Sequence, residues 1–246
     1  MNERYYASQL DVITRVLGIV KADKYFAGIP LDMRGQLVYG TLLTNYSSSG
    51  NAQKAEEIFK KIKAEDFPRN AFEYNQLLVL YKRLDKRKIQ DVLKMMEYED
   101  VKPNIFTYKI LIDAKGFSGD IGGMEQVVEN MKFEDIEMDS DTLEFLARHY
   151  IRAGLVVKAE VVLKELENVS LTDKRSRLKM LLPLYADLGK HNEVERIWKD
   201  FEAFPNLRSN ENVTGVAAWG KLGQLEKAEM IFEIVQFWEE VIGKAL

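Results

Sequence analysis

The chain has no cysteine among its 246 residues. That excludes disulfide staples, zinc-thiolate sites and thiol nucleophiles together. Histidine is nearly absent as well: His149 and His191 are the only two, and neither stands in a spaced ligand or nucleophile pattern. There is no phosphate-gripping GxxxxGK[ST] loop. No apolar run approaches the ~18 residues that a membrane-crossing helix needs, and the opening residues carry Glu3 and Asp11 with no signal-peptide pattern. Basic charge is not in excess either. With a formal net charge of −4, the molecule has no bulk attraction for a polyanion, so any nucleic-acid surface must be local.

What the chain does have is repetition. GNAQKAEEIF at 50–59 returns as GQLEKAEMIF at 223–232, and more weakly as GLVVKAEVVL at 154–163. The separations are whole multiples of a unit of about 35 residues, the mark of stacked units too small to bury an apolar face alone. With the glycine of this motif as anchor, Gly50, Gly119, Gly154, Gly189 and Gly223 fall in register, and Asp85 takes the glycine's place once. Four residues before each anchor stands Tyr46, Tyr81, Lys115, Tyr150, Tyr185 or Trp219, an aromatic column broken once. Apolar pairs such as Leu42/Leu43, Leu77/Leu78 and Leu181/Leu182 precede it by one helical turn, which predicts an amphipathic leading helix, helix A.

After the anchor, Ile58/Phe59, Val127/Val128, Val162/Leu163, Ile197/Trp198 and Ile231/Phe232, then Ile62, Met131, Leu166, Phe201 and Val235, trace the buried face of a returning helix B. The glycine supplies the positive φ that ends helix A. Ala55, Ala159 and Ala228 are small enough to let A and B approach closely, and a bulky residue there should overpack the joint. Pro68, Pro103 and Pro205 fall between one helix B and the next helix A. A degenerate pair at about 7–28 would turn at Gly18. No strand pattern is evident.

At 101–119 the text reads VKPNIFTYKILIDAKGFSG, and EYNQLLVLYKRLD (73–85) and LVYGTLLTNYSSSG (37–50) share its form. Tetratricopeptide repeats have similar length but place a glycine inside helix A, ahead of a tyrosine; here the glycine follows the aromatic. The three stretches instead resemble the linker and first helix of a P-class pentatricopeptide repeat of the plant organelle type, roughly KPD-V-V-T-Y-N-x-L-I-D-A-Y-x-K-x-G. The resemblance covers about residues 36–236 and is weaker in the fifth and sixth repeats. It implies an all-α fold: a right-handed α-α superhelix (solenoid) of about six helix-turn-helix repeats, its inner wall formed by the leading helices. Residues 1–246 would then be a single domain, with the degenerate pair in 1–35, repeats in 36–236 and a C-terminal helix end in 237–246.

The resemblance also implies single-stranded RNA as partner, one base per repeat. The family's base-reading positions are the residue after the helix A tyrosine and the last linker residue. Carried over, the pairs are Gly40 with Asn70, Asn75 with Asn104, Lys109 with Asp139, Glu144 with Lys174, and Lys179 with Arg208. Only Asn75 with Asn104 matches a common family combination, one that implies a pyrimidine, C first. The position two before the tyrosine, which sandwiches bases in the family, holds Leu37, Phe72 and Phe106; further on it holds Asp141, Ser176 and Asn210, which cannot stack. Basic residues two before the anchor, Arg83, Arg152 and Lys221, would face phosphates. RNA contact is therefore expected in the front half.

Each residue also has a plainer reading. The aromatic column is inter-helix packing; Phe72 and Phe106 suit hydrophobic staples; Arg83, Arg152 and Lys221 suit helix-end charges opposite a C-terminal dipole; Asn104 and the acids at 139–141 suit N-caps. Enzyme readings fail for want of ligands: the deaminase domains that some relatives carry need an HxE plus CxxC zinc set. The expectation is an RNA binder without cofactor or metal, acting in mitochondrial RNA metabolism, or in the chloroplast as the alternative. The competing reading is a protein scaffold of the same fold, such as a ribosome-associated component or a homodimer. The incomplete first repeat and the unfollowed last helix suggest a fragment.

Overall fold

The computed structural model of the chain describes residues 2–65, 67–169, 173–204 and 209–233. Among these residues there is no strand. A first pair, α1 (Glu3–Leu17) and α2 (Ile19–Gly28), is followed by a 3-10 turn at Leu31–Met33. Then leading and returning helices alternate: α3 (Gln36–Ser49) and α4 (Ala52–Ala64), α5 (Ala71–Leu84) and α6 (Lys88–Tyr98), α7 (Ile105–Phe117) and α8 (Ile121–Phe133), α9 (Ser140–Arg152) and α10 (Val156–Asn168), α11 (Lys174–Asp187) and α12 (His191–Glu202). The leading helix α13 (Ser209–Lys221) precedes a further helical stretch at 225–233. Two compact units result, one built from residues up to Ala114 with Asn130–Ile136, the other from Lys115–Glu129 with residues from Glu137 on.

The anchors behave as the register predicts: Gly18, Gly50, Gly119, Gly154, Gly189 and Gly223 all have φ between 69° and 83°. The next residue's N–H then reaches back to the carbonyl of the column residue, Asn51 to Tyr46 at 2.9 Å and Gln224 to Trp219 at 2.9 Å, which satisfies a carbonyl the helix end would leave open. Asp85 does not adopt the left-handed form. Its φ is −154°, its carboxylate accepts from the Arg87 N–H at 3.2 Å, and α6 starts late, at Lys88. Left-handed aspartates do occur at positions without a turn glycine, at Asp100 and Asp135 beyond the ends of α6 and α8. Asp is among the few residues that tolerate this.

The predicted core columns are buried, Leu42, Leu43, Leu77, Leu78, Leu181 and Leu182 on the leading helices and Ile58, Leu163, Leu166 and Phe201 on the returning ones. Ala55, Ala159 and Ala228 lie buried at the joints. Phe232, expected inside, is half exposed; its counterpart Phe59 is covered edge-on by Tyr74 of the next leading helix, at 5.2 Å, and the residues after 233 lie outside the described ones. So do Pro205, Val235 and the expected helix end at 237–246. Two details of local structure stand apart from the repeat pattern. His191 is the first residue of α12. Pro183 sits inside α11, where its ring removes one intrahelical hydrogen bond.

The recurring letters KAE have a mechanical meaning. Glu56 of α4 accepts from the Tyr81 hydroxyl of α5 and from Lys88 of α6 at 2.9 Å. Asp23 likewise takes Tyr46 and Lys54, and Glu125 takes Tyr150 at 3.0 Å and Lys158 at 2.5 Å. Each lysine also lies over the aromatic ring of its own repeat: Lys88 is 4.8 Å from the Tyr81 centroid and Lys227 4.2 Å from that of Trp219. Lys and Glu thus tie a repeat backward and forward, while the alanine between them lets the helices close. Tyr185 departs from the scheme. Glu193 stands where a lysine would be, and the hydroxyl donates to Glu167 at 2.7 Å instead.

These ties make stability depend on pH at both ends. The Tyr81 hydroxyl and then Lys88 hold Glu56 below the usual carboxylate range, and Lys158 does the same for Glu125. Such groups stabilise the fold above the unfolded value near 4.5, and the contribution is lost as pH falls through the lower folded value. Burial, reinforced by the bond to Glu125, pushes Tyr150 up from 10.0 to about 12. A raised tyrosine stabilises below 10.0 and loses that contribution as pH rises through its folded value. The melting temperature should therefore hold a plateau from roughly pH 5 to 10 and fall on either side. Replacing Tyr81 and Tyr150 by Phe should flatten the alkaline fall; an alkaline limb that those changes leave untouched would contradict the assignment.

Candidate nucleic-acid interface

In the first unit, α1, α3 and α5 enclose an open groove of about 780 Å³ whose wall includes Leu37, Gly40, Asn70 and Phe72. These are the positions expected to stack and read in two successive repeats, and the fold brings them together. Leu37 is 45% exposed and Phe72 46%, and Phe106, the same position one repeat on, is 48% exposed. A hydrophobic staple would be covered; these apolar side chains are half bare. Phe72 is held at the start of α5 because the Asn70 side chain caps the helix, accepting the Phe72 N–H at 2.8 Å. Its ring lies on bare backbone: a Cβ on Gly40 would stand 3.2 Å from the ring edge. The groove's other wall was not legible in the sequence. Glu3 of α1 accepts from the N–H of Leu37 at 2.6 Å and of Val38 at 3.3 Å, capping α3 from outside.

The second reading pair is joined directly. Asn75 is 2% exposed, and its Nδ2 donates to Asn104 Oδ1 at 3.2 Å. The remaining positions are occupied in other ways. Asp139 caps α9, accepting from the Thr142 N–H at 3.0 Å; Glu144 accepts from Arg148 at 2.8 Å; Lys174 pairs with Asp200 at 3.1 Å. Lys109 is half-buried and Lys179 exposed, while Arg208 lies outside the described residues. Asp141, Ser176 and Asn210 are exposed polar residues at the starts of α9, α11 and α13.

The three cations reach back one repeat. Arg83 donates to the Ser48 carbonyl at 2.9 Å, Arg152 to the Gly116 carbonyl at 2.5 Å, and Lys221 pairs with Asp187. Each partner lies in the last turn of the preceding leading helix, so the charge meets the negative end of that helix's dipole. The cations themselves recur only at every second repeat, 69 residues apart, a spacing that carries no sign of these ties.

Tandem helix hairpins, with half-exposed apolar side chains and amides gathered at the starts of the leading helices, define a helical-repeat protein. Family models described as "Pentatricopeptide repeat domain" and "PPR repeat" match residues 62–117 and 37–67. Two Arabidopsis thaliana proteins named as mitochondrial pentatricopeptide repeat-containing proteins are 49% and 47% identical over 96% and 95% of the chain. The chain spans 39% of the length of each. The solved structure of the pentatricopeptide repeat protein PPR10 from maize superposes with a TM-score of 0.59 at 21% identity, covering 96% of this chain and 34% of that one. PPR10 in complex with an 18-nt psaJ RNA element gives 0.61 at 19% identity, covering 100% and 35%. The chain belongs to the pentatricopeptide repeat family, and it has the all-α repeat fold of those solenoid proteins.

Proposed function

We propose that the chain binds single-stranded RNA along the starts of its front leading helices, with Leu37, Phe72 and Phe106 as stacking platforms and Asn70 and Asn104 as the polar contacts, Asn104 backed by the buried Asn75. The recurrence of a half-exposed apolar side chain at one position in three successive repeats carries the reading, and the RNA held by the PPR10 neighbour supports it. The mitochondrial names of the relatives favour work in that organelle's RNA metabolism: processing, stabilisation, editing or translation. No reaction is assigned to the chain; chemistry falls to its partners. Arg83, Arg152 and Lys221 act first as ties between repeats, and phosphates meet whatever N–H groups those ties leave outward. The test is retention of a random single-stranded RNA pool by the pure protein at two salt concentrations. Salt-sensitive retention with an enriched, pyrimidine-containing motif is the expected result. No retention at low salt would point instead to a protein scaffold.

A further inference from the structure

Asn75, Asn104 and Thr107 form a closed network whose orientation follows from one group that cannot change. The backbone N–H of Thr107 can only donate, and it donates to Asn104 Oδ1 at 3.1 Å. That oxygen also receives Asn75 Nδ2 at 3.2 Å, so the Asn75 amide must place its nitrogen toward Asn104 and its oxygen the other way. Asn75 Oδ1 then meets the Thr107 hydroxyl at 2.8 Å, which donates to it while accepting from the Asn104 N–H at 3.1 Å. Turning either amide over would set N–H against N–H or oxygen against oxygen. Thr107 and Asn75 are buried, 0% and 2% exposed, whereas Asn104 is exposed.

We infer that Thr107 is a positioning residue for base recognition: its hydroxyl locks the Asn75 amide, which with the Thr107 N–H holds the Asn104 oxygen inward and turns the Asn104 NH₂ outward. The inference rests on the RNA-binding reading above and adds to it. The repeat offers two N–H donors and no carbonyl, and so suits a base edge that presents acceptors. Neither Thr107 nor the buried Asn75 has to touch the base for this to hold.

Thr107→Val keeps the shape and removes the hydroxyl, leaving the buried Asn75 oxygen without its donor; Thr107→Ser restores the donor. Binding is measured to four RNA oligonucleotides, identical except for the base facing this repeat in the selected motif. A well-placed pair of donors discriminates between bases by roughly 5-fold to 150-fold. Thr107→Val should bring that ratio toward one with little change in binding to the poorest oligonucleotide, and Thr107→Ser should keep it. An RNA-free readout separates the two levels of the claim. The Asn75 side-chain amide protons, followed by nuclear magnetic resonance, should exchange slowly in the native protein and in Thr107→Ser, and fast in Thr107→Val. Fast exchange in the native protein, or an unchanged base ratio in Thr107→Val, would overturn the role of Thr107. Failure of every oligonucleotide to bind while the amide protection behaves as described would overturn base reading and leave the lock as a purely structural device.

Discussion

Phe72→Ala should weaken binding of single-stranded RNA about tenfold, within the ~1–3 kcal/mol that a base gains by stacking on an aromatic ring. The ring lies over Gly40 in the groove of α1, α3 and α5 and is 46% exposed. Its removal therefore uncovers little buried apolar surface, about 1 kcal/mol or less. In a chain of this size that moves the melting temperature by only about 2–4 °C. The plainer reading, a staple holding the start of α5, gives the opposite pattern, with stability lost and affinity kept. Phe106→Ala should act alike, and if the two platforms hold separate bases, the double variant should lose about a hundredfold. Phe72→Trp keeps a stacking face and should keep binding. Titration by fluorescence anisotropy beside thermal melts of the same preparations decides between the readings.

Gly116→Ala should destabilise the second unit by about 1–3 kcal/mol, the usual result of forcing atoms into a packed site. A Cβ there would run into the His149 ring. That ring is 4% exposed and has little room to move: it stands edge-on to Phe117 at 5.4 Å, with the Arg152 guanidinium 4.7 Å over the same Phe117 ring and bonded to the Gly116 carbonyl. The close approach of α9 to the end of α7 depends on the missing side chain. If the clash is with the imidazole, His149→Ala should remove most of the additional loss when combined with Gly116→Ala, a coupling a double-mutant cycle measures directly. Additive losses in the melts would place the strain elsewhere.

How much of this was legible follows from which effects are local. The turn glycines, the alternation of helices and the buried columns were readable because positive φ and a 3.6-residue apolar period mark single positions. Asp85 was readable only as a gap. That the chain would then keep an extended φ and delay α6 depends on where its carboxylate finds a donor. The aromatic column was recognised as packing, but its hydroxyls and the acids that receive them were not. The partners Tyr81, Glu56 and Lys88 come from three different helices, and only the recurrence of KAE hinted at them. Phe72 and Phe106 stand out as positions in the sequence, yet staple and platform have the same sequence there; only their half-exposure, 46% and 48%, is added by the structure. The cations were assigned to phosphate by resemblance, and the carbonyl of Ser48 that Arg83 takes has no sequence signature at all. Glu3 was invisible for a similar reason. It caps a helix that begins 33 residues after it.

The central claim, that RNA lies along the starts of the front leading helices, is tested most directly by photo-crosslinking. A 4-thiouridine-containing RNA drawn from the selected motif is irradiated with the protein, and the crosslinked peptides are identified by mass spectrometry. Crosslinks within 36–45, 70–76 and 104–109 are expected. Crosslinks confined to the returning helices, for instance at Lys60 and Lys63 beside the apolar groove of α4 and α6, would contradict it.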